Sequence, residues 1–273
     1  MSDRYAVIGN PIAHSKSPLI HAMFAQATAQ DMDYGRVEAP LDGFAATVQA
    51  FRDAGGRGLN VTMPFKLQAF ALATDKLERA QLAGATNALK FEGSRIWADN
   101  FDGLGLVNDI ERNLGVALAG ARILMLGAGG AVRGAMLPFL QCGPAQIVLA
   151  NRDVAKAQAL ATQFAGHGPL RACGYADLAG ERFDVVINAT SASLSGEVPA
   201  VPENSLREVA LAYEMVYGKG LTPFLRLARE TGARHVADGV GMLIEQAALA
   251  FEWWRGVRPA TAAAITRFTV PLS

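Results

Sequence analysis

Two short polar turns hold the residues of this chain that are best suited to acid–base chemistry. Asn60, Thr62 and Lys66 follow a short apolar run, and Asp102 lies in the second turn, Asp99–Gly103. A lysine can donate a proton to a carbonyl oxygen or stabilise negative charge on it, and a carboxylate can hold that lysine in place. Taken alone, the two residues are better explained by an ordinary salt bridge, so Lys66 and Asp102 are only candidates at this point.

A second candidate site is the turn that contains Ser15 and Ser17. Ser17 suits the N-cap of the following helix and Pro18 suits its first position, so local structure alone explains both. Ser15 has no such explanation. Two hydroxyl groups beside a helix N-terminus would suit a carboxylate, because the free backbone N–H groups and the helix dipole favour negative charge there.

A glycine-rich turn lies between the apolar run Ile123–Leu126 and a predicted helix. Its residues are Gly127, Ala128, Gly129, Gly130 and Ala131. Glycine allows the backbone to turn tightly and to approach a pyrophosphate, which the helix N-terminus then binds. Val132 stands where the strict dinucleotide fingerprint has its third glycine, so an ordinary strand–helix turn remains an alternative. The flanking strand and helix favour dinucleotide binding.

The residues after the next strand bear on the choice of nucleotide. Asn151 and Arg152 occupy the position at which NAD-binding folds usually carry an acidic residue. Arg152 would attract a 2′-phosphate, and Lys156 could add a second positive charge, which predicts a preference for NADP. Both could instead be surface charges. Asp153 is either the N-cap of the following helix or a carboxylate that weakens phosphate binding and allows some use of NAD.

Composition limits the class of protein. The 273 residues include 25 Lys+Arg and 25 Asp+Glu, so there is no basic excess of the kind that nucleic-acid binders usually show. We expect no metal, because His, Cys and carboxylates do not cluster at ligand spacing. The two cysteines and the lack of a long apolar run or signal-peptide core predict a cytoplasmic protein without a membrane segment.

Short β-rich runs alternate with amphipathic segments, which predicts an α/β fold with mostly parallel sheets covered by helices. The predicted strands are Tyr5–Ile8, Gly58–Val61, Ile123–Leu126, Ile147–Ala150, Val185–Asn188 and His235–Ala237. The predicted helices are Leu19–Ala29, Phe44–Ala54, Val132–Leu140, Val154–Phe164 and Met242–Trp254. We expect the last helix to be buried and to pack back on the first domain. The predicted domains are 1–102 with 240–273 and 103–239, with a ligand cleft between them.

Eight motifs of this chain resemble those of shikimate dehydrogenases, in the order that this family shows. They are Gly9–Pro18, Asn60–Lys66, Gly84–Asn87, Asp99–Gly103, Gly127–Ala131, Asn151–Arg152, Asn188–Ser191 and Ala237–Met242. Several are six or more residues long, and together they extend over nearly the whole chain. The chain is therefore identified as a member of this family from its motifs.

The resemblance implies an α/β substrate domain, a Rossmann-type domain, and C-terminal helices that return to the first domain. It implies NADPH-dependent reduction of 3-dehydroshikimate to shikimate, in the route to aromatic amino acids, with Lys66 and Asp102 as the catalytic pair. The residues implied for the substrate are Ser15, Ser17, Asn60, Thr62, Asn87, Tyr217 and Gln246. The residues implied near the nicotinamide are Met215 and Gly239. A small-molecule substrate is expected, with the protein a monomer or a homodimer.

The reduction requires a proton, or a positive donor, at the C3 oxygen as hydride reaches the carbonyl carbon. Lys66 can fill either role if its pKa lies near neutrality. Partial burial would lower that pKa, whereas Asp102 would raise it, and the sequence leaves the balance open. We take Lys66 as the acid–base residue and Asp102 as the residue that positions it.

Two alternatives remain open. The first is a quinate/shikimate dehydrogenase that uses NAD or both cofactors. Phe101 stands where the family often has threonine, and replacing a hydroxyl near the substrate could change the substrate range. The second is an NADP-binding regulator without catalysis, which would be expected to have lost Lys66 or Asp102; both are present.

Overall fold

The computed structural model describes residues 2–272, which divide into two compact units. The first unit extends to Gly105 and includes Ile244–Ala264, and the second comprises Leu106–Leu243 and the residues from Ile265 on. The sequence had placed all of 240–273 with the first domain. The tail groups with the second unit because Leu272 packs against that unit's core and its carbonyl accepts a hydrogen bond from Arg229.

Strands and helices alternate along most of the described chain. The strands are β1 (Asp3–Gly9), β2 (Met32–Glu38), β3 (Gly56–Val61), β4 (Asp75–Lys76), β5 (Ala88–Glu92), β6 (Arg95–Asp99), β7 (Arg122–Leu126), β8 (Gln146–Ala150), β9 (Leu170–Cys173), β10 (Val185–Asn188), β11 (Leu211–Glu214) and β12 (His235–Asp238). The helices are α1 (Ser17–Ala27), α2 (Phe44–Asp53), α3 (Lys66–Leu72), α4 (Glu78–Ala83), α5 (Asp102–Asn108), α6 (Gly130–Gln141), α7 (Val154–Gln163), α8 (Pro223–Glu230), α9 (Val240–Arg255) and α10 (Ala262–Phe268).

The first unit contains a six-stranded sheet in the order β2-β1-β3-β5-β6-β4. β1 is parallel to β2 and β3, whereas β5 is antiparallel to both of its neighbours. β5 and β6 form a hairpin across Gly93, whose φ of 58° suits a glycine, and β4 is parallel to β6. Five of the six strands therefore run in one direction, and the prediction of a mostly parallel sheet is confirmed with β5 as its reversed strand. Two reversals leave β3 and β6 running in the same direction, so both end at one edge of the sheet.

The predicted burial of the Met242–Trp254 segment is confirmed. Within α9 only Glu252 is exposed. In the first unit, Ala250 and Trp254 join Tyr5, Ala88 and Phe101 in a hydrophobic cluster on one face of the sheet. The indole N–H of Trp254 donates to the carbonyl oxygen of Leu89 at 3.1 Å, which ties α9 directly to β5.

The second unit contains six strands in the order β12-β11-β10-β7-β8-β9, and every adjacent pair is parallel. This is the order of a doubly wound dinucleotide-binding sheet, in which the direction of strand addition reverses between β7 and β10. Ile123, Leu124, Ile147 and Val148 are fully buried, as expected for central parallel strands covered by helices. The predicted α/β fold class is confirmed.

Candidate active site

Lys66 and Asp102 form an ion pair in the first unit. Lys66 begins α3, five residues after the end of β3, and Asp102 begins α5, three residues after β6. Because β3 and β6 end at the same edge of the sheet, the two side chains meet there, with 2.6 Å between Lys66 Nζ and Asp102 Oδ2. The lysine side chain is 33% exposed and the aspartate 14%, so the amine remains accessible while the carboxylate is nearly covered.

Asn87 holds the second oxygen of the same carboxylate. Its Nδ2 donates to Asp102 Oδ1 at 2.8 Å and to Gln246 Oε1 at 3.1 Å, and its Oδ1 accepts from the backbone N–H of Phe101 at 2.9 Å. Asn87 is 3% exposed. These contacts fix both ends of the amide, so each oxygen of Asp102 has a defined partner and Lys66 is held at one of them.

Asn60 extends this cluster, whereas Thr62 lies apart from it. Asn60 Nδ2 donates to the carbonyl oxygen of Asn87 at 3.3 Å, and its Oδ1 accepts from the hydroxyl of Tyr34 at 2.7 Å. The Thr62 methyl group packs against Gly9, where an added Cβ would lie 2.5 Å from Thr62 Cγ2. Within residues 2–272, no hydrogen bond joins the Thr62 side chain to the Lys66–Asp102 pair.

The serine turn corrects one interpretation of the sequence. Helix α1 begins at Ser17 itself, and no side chain caps it. The Ser15 hydroxyl instead accepts from the backbone N–H of Ser17 at 3.3 Å, and the two side-chain hydroxyls lie 3.2 Å apart. The Ser17 side chain is therefore not the N-cap, and capping does not account for its hydroxyl.

Phe101 does not replace a substrate-facing hydroxyl in the way the sequence suggested. Its side chain is 3% exposed and packs in the hydrophobic cluster of the first unit. The ring lies edge-on to Trp253, with 5.6 Å between the ring centroids. Its backbone N–H is the part that contributes to the polar cluster, through Asn87.

The glycine-rich turn of the second unit joins β7 to α6. Gly127 has a φ of 112°, which side chains other than glycine rarely adopt, and its N–H donates to the Ala150 carbonyl at 2.8 Å. Gly129 and Gly130 are exposed, and a Cβ on either would meet no atom within 4 Å. Ala131 is exposed as well, and Ala128 is half-buried. The turn therefore presents bare backbone and the N-terminus of a twelve-residue helix.

The two cations of the segment after β8 differ in their ion pairing within residues 2–272. Asp153 is the N-cap of α7, where its side chain accepts from the N–H of Lys156, so the capping interpretation is confirmed. Its other oxygen lies 3.6 Å from Lys156 Nζ, which balances the charge of that lysine. Asn151 turns back to the carbonyl of Asp153 at 2.9 Å. Arg152 is exposed, and no described carboxylate lies within ion-pair distance of it.

Met215 and Gly239 are in direct contact at the ends of β11 and β12. A Cβ on Gly239 would lie 2.3 Å from the Met215 carbonyl oxygen, so this approach requires glycine. Tyr217, two residues after Met215, is 40% exposed, and burial of the rest of its ring raises its pKa. The predicted residues after β7, β8, β11 and β12 thus collect at the carboxyl edge of one parallel sheet.

Sequence reasoning missed Glu214, the buried last residue of β11. Its carboxylate accepts from Asn188 Nδ2 at 3.0 Å, from the Ser193 hydroxyl, and from the N–H of Val216 at 3.4 Å. Burial raises its pKa, and these donors oppose the shift. Glu214 therefore fixes the loop after β10 against the segment that carries Met215. A lone acidic residue at the end of an apolar strand is the signal that could have identified it.

Within residues 2–272, no group of three or more His, Cys, Asp or Glu side chains could hold a metal ion. In the same part of the chain, no helix is long and apolar enough to cross a membrane.

Three domain families match this chain in succession. They are the shikimate dehydrogenase substrate binding domain at residues 7–89, shikimate / quinate 5-dehydrogenase at 109–203, and the shikimate 5′-dehydrogenase C-terminal domain at 239–265. This chain belongs to the shikimate dehydrogenase family. The identification from the eight motifs is confirmed.

Individual relatives agree over nearly the full length. The NADP(+) shikimate dehydrogenase of Aromatoleum aromaticum is 57% identical over 266 residues, which cover 96% of this chain and 95% of the relative. Among solved structures, an Ael1 enzyme from Pseudomonas putida is 62% identical with a TM-score of 0.98, and each chain is covered completely. Shikimate 5-dehydrogenase from Thermus thermophilus, solved with NADP(H) and shikimate, is 32% identical with a TM-score of 0.86 and covers 97% of this chain and 99% of its own. The predicted enzyme class and NADP cofactor are confirmed by this family membership.

Proposed function

We propose that this chain catalyses the reversible, NADP-dependent interconversion of 3-dehydroshikimate and shikimate, with Lys66 as the acid–base residue. The observation that carries the proposal is the cluster of Lys66, Asp102, Asn87 and Gln246, in which both oxygens of Asp102 and both ends of the Asn87 amide have defined partners. A purely structural salt bridge would not need an accessible amine beside a covered carboxylate. The regulator without catalysis is disfavoured for the same reason.

Lys66 supplies the proton in the reductive direction. As hydride adds to the C3 carbonyl carbon, the electron pair of the C=O bond moves to oxygen, and Lys66 Nζ gives its proton to that oxygen. The same amine takes the proton back when shikimate is oxidised. Asp102 Oδ2 lies 2.6 Å from Nζ and counters the positive charge of the protonated amine. Asn87 prevents the carboxylate from rotating away from the lysine.

The substrate contacts divide between carboxylate and hydroxyl recognition. Ser15 and Ser17 lie at the start of α1, where two hydroxyls and the helix N-terminus suit the substrate carboxylate. Asn60, Asn87 and Gln246 present amide groups beside the Lys66–Asp102 pair, and these suit ring hydroxyls. Thr62 and Tyr217 remain predicted substrate contacts from the family resemblance.

The second unit fits NADP. Gly127–Ala131 offers a bare, exposed turn at a helix N-terminus for the pyrophosphate, and Arg152 offers an unbalanced guanidinium for the 2′-phosphate. Met215 and Gly239 form a closely packed backbone surface for the nicotinamide. Bound NADPH supplies the hydride. The chain itself has to bind, orient and protonate, and its residues are arranged for those tasks.

Initial rates of the purified chain with shikimate or quinate, each with NADP⁺ or NAD⁺, test the proposal at 340 nm. We expect shikimate with NADP⁺ to exceed every other pair by tenfold or more, which corresponds to about 1.4 kcal/mol in the transition state. Comparable rates with quinate or NAD⁺ would favour the quinate/shikimate alternative. NADP⁺ binding without turnover of either substrate would contradict the proposal and favour the regulator.

The cellular setting follows from this reaction. We propose that the chain acts in the biosynthesis of aromatic amino acids, in the cytoplasm, on a small-molecule substrate. The NADP(+) shikimate dehydrogenase names of its relatives support the first point. Whether the enzyme is a monomer or a homodimer stays a prediction from the sequence.

A further inference from the structure

Tyr34 is a residue that neither the motifs nor the resemblance assigned to the site. It lies on β2, the edge strand of the first unit's sheet, opposite Tyr5 of β1. Its hydroxyl donates to Asn60 Oδ1 at 2.7 Å. Burial holds its pKa well above the usual value, and the Ser17 hydroxyl nearby opposes that shift. Tyr34 therefore contacts two predicted substrate residues, Asn60 and Ser17.

These contacts decide which way the Asn60 amide points. The Asn87 carbonyl, which also accepts from the N–H of Val61 at 2.8 Å, can only accept, so Nδ2 must face it and Oδ1 faces Tyr34, whose hydroxyl donates to it. Nδ2 carries two hydrogens and gives one of them to Asn87. No hydrogen bond within residues 2–272 uses the other, which leaves it for a ligand. Asn60 consequently offers an N–H donor, which suits a hydroxyl or carboxylate oxygen.

The same proton of Tyr34 also affects Ser17. A phenol has one hydrogen to donate, and Tyr34 gives it to Asn60. Tyr34 therefore cannot donate to the Ser17 hydroxyl, and in the hydrogen bond between the two groups Ser17 is the donor and the phenol oxygen the acceptor. Tyr34 thereby contacts both residues and leaves the Asn60 amide nitrogen as a donor toward a substrate oxygen.

The ring of Tyr34 is held rigidly enough for this purpose. His21 of α1 stacks flat on it, with 4.0 Å between the centroids and 5° between the planes. His21 is fully buried, and burial lowers its pKa to about 3, so the imidazole is neutral at physiological pH. Two residues along β2, Arg36 donates to the backbone carbonyl of Ser15 at 2.6 Å. Because alternate residues of a strand share a face, β2 braces the serine turn and Asn60 together.

We infer that Tyr34 is a positioning residue for substrate binding, which acts by orienting the Asn60 amide. The inference rests on the proposed function, since Asn60 and Ser17 are substrate residues only if that function holds. Tyr34 itself does not reach the reacting atoms. Its loss should therefore weaken shikimate binding much more than it slows catalysis.

The test is a double-mutant cycle of Tyr34→Phe and Asn60→Ala, with Tyr5→Phe as the matched control. Tyr5 is a buried tyrosine of the neighbouring strand, and its hydroxyl faces Arg255 rather than the site. We expect Tyr34→Phe to raise the KM for shikimate about tenfold, with kcat and the KM for NADP⁺ within twofold of wild type. In the Asn60→Ala background the same change should alter KM less than twofold, because the group that Tyr34 orients is gone. Tyr5→Phe should leave the KM for shikimate unchanged.

The contrary results are distinct. An active wild type with an unchanged KM in Tyr34→Phe would overturn the positioning role alone, and so would a full effect of Tyr34→Phe in the Asn60→Ala background. Equal rises of KM in the Tyr34→Phe and Tyr5→Phe variants would show a general packing effect and would also overturn it. A wild type that turned over no shikimate would contradict the proposed function and this inference with it.

Discussion

The two units of this chain prepare for their ligands in different ways. In the first unit the predicted site consists of side chains that hold one another: Lys66 on Asp102, Asp102 on Asn87, and Asn87 on Gln246. In the second unit it consists mostly of backbone, with exposed glycines after β7 and a glycine in contact with a carbonyl after β12. The first unit should therefore be sensitive to atoms that are removed, and the second to atoms that are added.

The largest effect should come from removing the amine of Lys66. We expect Lys66→Ala to lower kcat by about 10²–10⁴-fold, the usual contribution of a general acid–base group, with a smaller change in the KM for shikimate. The matched control is Lys90→Ala, which removes a partly exposed lysine that pairs with Glu92 at 2.7 Å. Steady-state kinetics of both variants measure these changes. A Lys66→Ala enzyme with nearly wild-type kcat would show that Lys66 is not the acid–base residue.

In the second unit, adding one methyl group at Gly239 should have the next largest effect. The new Cβ would lie 2.3 Å from the Met215 carbonyl oxygen, so backbone must move and the free energy of unfolding should fall by about 1–3 kcal/mol. We expect Gly239→Ala to raise the KM for NADP⁺ tenfold or more. Gly166→Ala is the control, because its Cβ would meet nothing within 4 Å. Identical melting curves and KM values for the two variants would refute the argument from steric contact.

Arg152 tests whether the second unit also depends on one side chain. Hydrogen bonds to charged groups contribute about 1.5–3 kcal/mol, so Arg152→Ala should raise the KM for NADP⁺ about 10- to 100-fold. The KM for NAD⁺ should stay within twofold, because NAD⁺ lacks the 2′-phosphate. Arg182→Ala, which removes another exposed arginine, provides the comparison. Equal increases in the KM for NADP⁺ and for NAD⁺ would show that Arg152 does not bind the 2′-phosphate.

The apolar runs of the sequence were enough to predict β7, β8, β10 and β12, whereas β11, which leads to Met215, was not predicted. β7, β8 and β10 are continuous apolar runs between glycine or polar turns, and such runs are typical of buried parallel strands. β2 was missed because it is an edge strand whose exposed residues include Gly35 and Arg36. β5 was missed because its apolar run is short and closely follows a helix and a turn. Neither strand carries the uniform pattern from which a strand can be recognised.

The same contrast holds for the candidate site. Lys66, Asp102 and Asn87 lie in polar turns with distinctive sequences, so they could be singled out, and the structure brings them together; their roles stay predictions. Tyr34 could not, since a tyrosine on an alternating strand is ordinary, and its partner Asn60 lies 26 residues away. The Phe101 interpretation shows the opposite error, because the residue type was noticed but its direction depends on packing against Trp253. Long-range contacts of this kind are set by the folded chain and leave no local pattern.

His21 lets the first unit's packing be measured through pH. Its pKa is lowered from an ordinary value of 6.5 to about 3 because it is fully buried. Between pH 6.5 and 3 the His21 imidazole is protonated in the unfolded chain but neutral in the folded chain. The contribution of the buried imidazole to the free energy of unfolding is therefore fully present above pH 6.5 and is lost as the pH falls toward 3. The slope is about 1.4 kcal/mol per pH unit. In His21→Phe we expect the slope of unfolding free energy between pH 6 and 4 to decrease by that amount.

The control for this measurement is His167→Phe, which removes an exposed histidine of the second unit. Its slope should match that of wild type. Reading slopes rather than absolute stabilities separates proton binding from any change in packing that phenylalanine causes at the buried position. A His21→Phe slope equal to wild type would mean that the imidazole is not excluded from water in the folded protein.

The smallest effect should come from Asp153, where structure and cofactor preference meet in one carboxylate. As the N-cap of α7 it stabilises the helix, and as an anion 3.6 Å from Lys156 it offsets a positive charge close to Arg152. Serine keeps the cap and removes the charge, whereas alanine removes both. We expect Asp153→Ala to lose about 1 kcal/mol of stability and Asp153→Ser to lose almost none. If the carboxylate weakens NADP binding, both variants should lower the KM for NADP⁺ by the same factor of about two to three, since surface charges contribute little each. A lower KM in Asp153→Ala alone would instead attribute the effect to movement of the helix end, and the charge would then have no part in cofactor choice.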